Sequence, residues 1–221
     1  MNIITFEHIK NDPSVQTYIK KADEALIALG YTEHSFAHVT RVSDTIKYIL
    51  TTLNYPEREI EIAQIAGYLH DIGNTVNRVN HALSGAAMSF TLLNQMGGDP
   101  MEIASIITAI GNHDEHTAVV VNHLTAALIL SDKTDVRRSR ARKQDFTAFD
   151  IHDRVNYSAI KSAIEINQSH TEIVLNLTID TQYCSVMDYF EIFLGRMLLC
   201  KKAAEKLGLV FMLVINNQHL M

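Results

Sequence analysis

The chain has 221 residues, 47% of them hydrophobic, with a formal charge of −6 at neutral pH and two cysteines. That is enough for one sizeable core with an appendage, and the acidic balance excludes general binding to a nucleic-acid polymer, which needs a basic surface to displace counterions. Cys184 and Cys200 can supply neither a disulfide framework nor a four-thiolate zinc site, and no apolar run reaches the ~18 residues of a membrane span or follows a basic leader, so a cytoplasmic location with no membrane partner is expected.

The first two-thirds of the chain reads as successive helices. Asn11-Asp12-Pro13 offers a side-chain acceptor ahead of a proline suited to a first turn, and Gly30 offers a stop, which predicts a helix over 13–29. From Phe36 onward Val39, Val42, Ile46, Ile49, Leu50 and Leu53 recur at three- and four-residue steps, the period of a helix with one apolar face. Pro56 opens a third helix running through Ile60, Ala63, Ile65, Ala66 and Leu69 into His70-Asp71, with Gly73 closing it. Further helices are predicted over 80–96, from Pro100 to His113, and over 117–131, the last delivering Asp132.

The last third changes period. Ile160, Ser162, Ile164 and Ile166 alternate with Lys161, Glu165 and Asn167, and after Gln168-Ser169-His170 the residues Ile173, Leu175, Leu177 and Ile179 alternate again, the pattern of a β-hairpin. Ser185 and Asp188 have capping-box spacing ahead of a helical face formed by Val186, Tyr189, Phe190, Phe193, Met197 and Leu198. Leu209 to Ile215 is wholly apolar, as for a strand covered on both sides. The expected architecture is therefore mainly α, a helical domain over 1–148 followed by a small α+β unit (β-β-α-β) over 149–221, whose apolar strand points to packing or to a homodimer.

Four histidines and two aspartates lie in or at the ends of the predicted helices: His38, His70, Asp71, His81, His113 and Asp132. Imidazole nitrogen and carboxylate oxygen are the ligands divalent transition metals prefer, and converging helix ends would place them around one centre. His70 and Asp71 would point ~100° apart on a continuous helix, so sharing an ion requires the last turn to loosen, as Gly73 allows. His116 is a further candidate one turn beyond His113. The other histidines, His8, His34, His123, His152, His170 and His219, read as surface or core side chains, although His34 lies four residues before His38 and so on its face.

The ordered set resembles the HD superfamily of metal-dependent phosphohydrolases through His38-Val39-Thr40-Arg41-Val42, Leu69-His70-Asp71-Ile72-Gly73 and Ser131-Asp132-Lys133, over roughly residues 20–140. His81, in Asn80-His81-Ala82-Leu83-Ser84-Gly85-Ala86, and His113, in Gly111-Asn112-His113-Asp114, look like the additional histidines of members that hold two metals. The resemblance implies an HD-type helical domain and an enzyme that cleaves a phosphate ester or anhydride of a small molecule, a nucleotide above all. It also implies one or two divalent ions, with iron, manganese, cobalt, nickel and zinc all compatible with the mixed shell. Asp71 would bridge the ions, His38, His70 and Asp132 completing one site and His81 and His113 contributing to the other. Water at such a pair becomes acidic enough to attack phosphorus near neutral pH.

Asp71 and Lys133 are the expected catalytic residues, and Arg41, Lys133 and Arg137 the expected contacts to a phosphorylated substrate. Arg140, Arg142 and Lys143 read as a solvated face or basic linker. Where many dinuclear relatives carry a lysine after His-Asp-Ile-Gly, this chain has Asn74, so that contact to substrate does not carry over. Two alternatives keep the same ligands: a di-iron oxygenase of the HD fold, and a nucleotide-sensing regulatory module without turnover.

Overall fold

A computed structural model describes residues 3–142 and 149–220. Lys143 and the expected boundary at residue 148 lie outside the described residues. The chain begins with a short helix not anticipated from periodicity, α1 (Phe6–Asn11), nucleated by a reciprocal cap between Thr5 and His8. Helix α2 (Pro13–Ala28) starts where Asp12 accepts from the amides of Ser14 and Val15, and the chain turns away at Gly30 with φ +80°. Then come α3 (Phe36–Thr52), α4 (Glu57–Leu69), a 3-10 turn over Ile72–Thr75, α5 (His81–Gln95), α6 (Pro100–Gly111) and α7 (His123–Lys133).

Helix α7 starts six residues later than the sequence pattern suggested. The side chain of Asn122 accepts from Thr125 N at 2.9 Å and caps the helix there, while Val119-Val120-Val121 stays outside it, as suits three β-branched residues. Helix α7 is buried from Leu124 through Ser131 because it is apolar on two sides. Leu124, Ala127 and Leu128 join Val42, Ile46, Leu69 and Ile110 in one core, whereas Ala126, Ile129 and Leu130 join a second core beneath the C-terminal sheet.

That second core is built by α8 (Ile151–Ser158), β1 (Ala159–Ile166), β2 (Glu172–Ile179), α9 (Val186–Lys206), β3 (Val210–Ile215) and β4 (Gln218–His219). The sheet order is β1-β2-β3-β4, with β1 antiparallel to β2, β2 parallel to β3, and β3 antiparallel to β4. The parallel pair requires a crossover, which α9 supplies, and the capping box of Ser185 and Asp188 opens it as expected. Helix α8 and strand β4 add to the anticipated β-β-α-β order; α8 is opened by a capping box of Asp150 and Asp153. Strand β3 is less enclosed than its apolar composition suggested: Phe211, Leu213, Val214 and Ile215 are buried, but Val210 is 57% exposed. No helix among the described residues is long and apolar enough to cross a membrane.

Gly67 determines how closely α3 and α4 pack. A Cβ there would lie 2.5 Å from Ile46 Cδ1 and 3.3 Å from Val42 Cγ1. The close approach brings the start of α3 and the end of α4 together, and with them His38 and His70, whose Nε2 atoms lie 3.4 Å apart.

Candidate metal centre

Helix α4 stops at Leu69, and the chain passes through His70 and then Asp71, at φ −99° and ψ 0°, into the 3-10 turn. This change of path is the loosening that two adjacent ligands require: His70 Nε2 and Asp71 Oδ2 lie 3.1 Å apart. Asn74 holds the carboxylate from behind, its Nδ2 donating to Asp71 O at 2.9 Å and to Asp71 Oδ1 at 3.0 Å. Gly73 lets the turn lie against the first turn of α5, since a Cβ there would stand 2.0 Å from His81 O and 2.4 Å from Gly85 N.

Six side chains converge as a result. His38, His70, Asp71, His81 and His113 are buried, each no more than 5% exposed, and Asp132 is nearly so. Asp71 presents its two oxygens in two directions: Oδ2 lies 3.6 Å from His38 Nε2 beside His70, while Oδ1 lies 3.6 Å from His81 Nε2. Asp132 presents Oδ1 to His38 Nε2 at 3.4 Å, and its Oδ2 is held by Lys133 Nζ at 2.7 Å. His81 Nε2 and His113 Nε2 are 3.2 Å apart. Three overlapping sets, His38/His70/Asp71, His70/His113/Asp132 and Asp71/His81/His113, each place their ligand atoms within 4.8 Å of one another.

Hydrogen bonding shows that these residues suit a cation. His38 Nδ1 meets Asp135 Oδ2 at 2.8 Å, His70 Nδ1 meets Gly67 O at 2.7 Å, His81 Nδ1 meets Arg78 O at 3.1 Å and His113 Nδ1 meets Ile110 O at 2.6 Å. Every partner is an acceptor, which assigns the proton to Nδ1 in all four rings and directs the Nε2 lone pairs inward. Burial pushes the pKa of His81 and His113 below the ordinary histidine value, and their Nε2 atoms lie 3.2 Å apart. Burial also works against charge on His70, but the Asp71 and Asp132 carboxylates outweigh it and raise that imidazole's pKa. Burial alone would raise both carboxyls as well. His70 nevertheless holds Asp71, and Lys133 with His38 and His70 holds Asp132, well below the usual range. Converging lone pairs and anions out of water are stable only around positive charge.

Asp71, His81, His113 and Asp132 line a cavity of about 380 Å³ whose wall also includes His34, Arg78, Glu115, Lys133, Arg140 and, from α8 and α9, His152 and Arg196. Lys133 bonds Asp132 and Glu115, the latter at 2.8 Å, and Arg196 Nε reaches the other Glu115 oxygen at 3.0 Å. Burial opposes the Lys133 charge, yet its two carboxylate partners keep its pKa above the ordinary lysine value.

Among the expected substrate contacts, Lys133 lines this cavity; Arg41 and Arg137 are not brought to it. Arg41 Nε binds Asp135 at 3.1 Å and its Nη2 donates to Ser162 O, while Arg137 grips Asp135 at 2.6 Å and Glu33 at 3.2 Å. Arg140 is buried rather than solvated, donating to Glu33 O and Asp135 O, and Arg142 pairs with Asp23. Three arginines thus converge on the carboxylate that orients His38. His116 is exposed and belongs to none of the three ligand sets. His34 and His152, read from sequence as ordinary side chains, line the cavity. Asp135 had one sequence signal, its place three residues beyond Asp132, just past the end of α7.

The family model described as HD domain matches residues 35–192. That range contains all six converging side chains and continues through α8, the hairpin and the first turns of α9. A search of curated proteins found no match.

Proposed function

The chain belongs to the HD superfamily of metal-dependent phosphohydrolases, and we propose that it hydrolyses a phosphate ester or anhydride of a small molecule, with nucleotides as the substrate class. The observation that carries this reading is the division of Asp71, one oxygen toward His38 and His70 and the other toward His81. Two divalent ions would be held by His38, His70, Asp71 and Asp132 and by Asp71, His81 and His113. Ions bound there supply Lewis acidity to a phosphoryl oxygen and lower the pKa of coordinated water from 15.7 toward ~7.

The protein's own groups prepare the rest. The Nδ1 bonds fix the rings with Nε2 inward, so no reorganisation is needed when a ligand arrives. Lys133, protonated between Asp132 and Glu115, is a positioning residue: it engages Asp132 Oδ2 and leaves Oδ1 for the centre. Within the recessed cavity each electrostatic contact to an anionic substrate is stronger than it would be on an open surface.

Metal analysis of protein purified without added metal, followed by a screen of phosphorylated compounds with manganese, iron, cobalt, nickel or zinc, tests the proposal. Up to two ions per chain and release of phosphate are expected. Asp71→Ala should remove metal and hydrolysis together; hydrolysis retained with no metal bound would reject the reading. Iron-specific oxygen consumption without phosphate release would assign the chain to oxygen chemistry instead.

A further inference from the structure

The cations around the cavity are not equally available. Lys133 is committed to Asp132 and Glu115, Arg196 to Glu115, and Arg140 to the backbone oxygens of Glu33 and Asp135, with the Asp135 carboxylate 3.7 Å away. Arg78 is different. Among the described residues no carboxylate lies within 4.0 Å of its guanidinium, whose one hydrogen-bond acceptor is Asn74 Oδ1 at 3.2 Å, and its remaining face covers the Tyr31 ring at 5.4 Å. An arginine carries five N–H donors in a planar fork, so most of this one's donors are left for a ligand.

Its placement is equally specific. Arg78 is half-buried and lines both the metal cavity and an adjoining concavity of about 390 Å³ that includes Val79, Leu83 and Thr117. It therefore stands at the seam where a group seated over the cluster would continue into the rest of a molecule. Its side chain reaches Asp71 through Asn74, and its backbone oxygen accepts from His81 Nδ1.

We propose that Arg78 is the specificity-determining residue that receives the phosphoryl oxygens of the substrate, its guanidinium being positioned by Asn74 and Tyr31 at the boundary between the metal cavity and the adjoining concavity. The assignment rests on the phosphohydrolase reading. It places the anion-binding role on Arg78, four residues beyond Asn74 in the loop after the 3-10 turn, and not on Arg41 or Arg137. A planar fork facing a phosphoryl group makes paired charge-assisted hydrogen bonds that a point charge does not reproduce.

Calorimetric titration of inorganic phosphate into the manganese-loaded full chain tests this, with metal content measured on the same samples. Arg78→Ala should weaken phosphate by at least about tenfold, the scale of one charge-assisted hydrogen bond, with manganese content unchanged. Arg78→Lys should recover part of the loss. Arg138→Ala, which removes an exposed side chain resting over Tyr157 at 4.6 Å, should bind as the wild type does. Phosphate affinity within twofold of wild type in Arg78→Ala with metal retained would overturn the Arg78 assignment and leave the phosphohydrolase reading standing. Loss of manganese together with phosphate in both Arg78 variants would reduce Arg78 to a support for His81 and also overturn the assignment. A wild-type chain that binds neither manganese nor phosphate would overturn the parent reading and this one with it.

Discussion

The two regions that meet at α7 are both buried but are filled in opposite ways. Beneath the C-terminal sheet, Leu175, Leu213, Phe193, Met197 and Cys200 leave water behind with few polar groups to satisfy; even the Tyr189 hydroxyl rests on Met197 Sδ at 3.5 Å. On the other side of α7, five buried histidines and aspartates direct lone pairs at one another. An apolar interior is stabilised by its own packing, whereas converging ligands need a bound partner to reach their lowest free energy. The contrast separates the region that maintains the fold from the region whose stability depends on what it binds.

A pair of substitutions probes that separation most strongly. Leu213→Ala, at a fully buried position in β3, should cost about 2–5 kcal/mol in chemical denaturation while folded protein keeps its metal content. Gly73→Ala forces a methyl against His81 O and Gly85 N and should cost about 1–3 kcal/mol, yet diminish metal content sharply by displacing His81. If both variants lost metal equally, the two regions would not be separable in this way.

A smaller effect is expected behind the cluster. Asp135 accepts from His38 and is gripped by three arginines; burial opposes its charge, but His38, Arg140 and Arg137 hold its carboxyl far below the ordinary range. Asp135→Asn should weaken metal binding about 10–100-fold in equilibrium titration and leave the sheet's stability untouched.

The smallest expected effect lies in the apolar core. Burial pushes the Cys200 thiol up to about 12 from an ordinary value of 9.0. Its folded-state pKa is raised, so between those values the unfolded chain releases a proton that the folded chain keeps, and stability is lost as pH rises. From pH 9 to 11 the wild type should lose stability faster than Cys200→Ala by at most ~1.4 kcal/mol per pH unit, the limit for one proton. Equal slopes in urea titrations would show that water reaches this core.

Much of this was legible from local chemistry. Asp12, Asp99 and Ser185 begin their helices because a side-chain oxygen accepts from amides two or three residues on, and the hairpin follows from a two-residue alternation. The short helices α1 and α8 have too few residues to show a period, and the start of α7 was obscured by apolar residues that continue ahead of Asn122 without being helical. The six ligand residues were legible as a set because their types share one chemistry. Arginines carry no such mark: Arg41, Arg78, Arg137 and Arg140 look alike in sequence, and their roles differ only because the carboxylates facing them come from elsewhere in the chain.

The amino-acid sequence by itself determined the helices, their caps and the kind of atom available to bind an ion, since propensity, capping and donor chemistry act within a few residues. Tertiary structure alone decided that His38 leans on Asp135, 97 residues away, that Asp71 divides its oxygens between two groups of histidines, and that Arg78 has no carboxylate partner among the described residues. Such pairings depend on angles and separations between packed helices, which arise from contacts such as Gly67 against Ile46 that no single segment encodes.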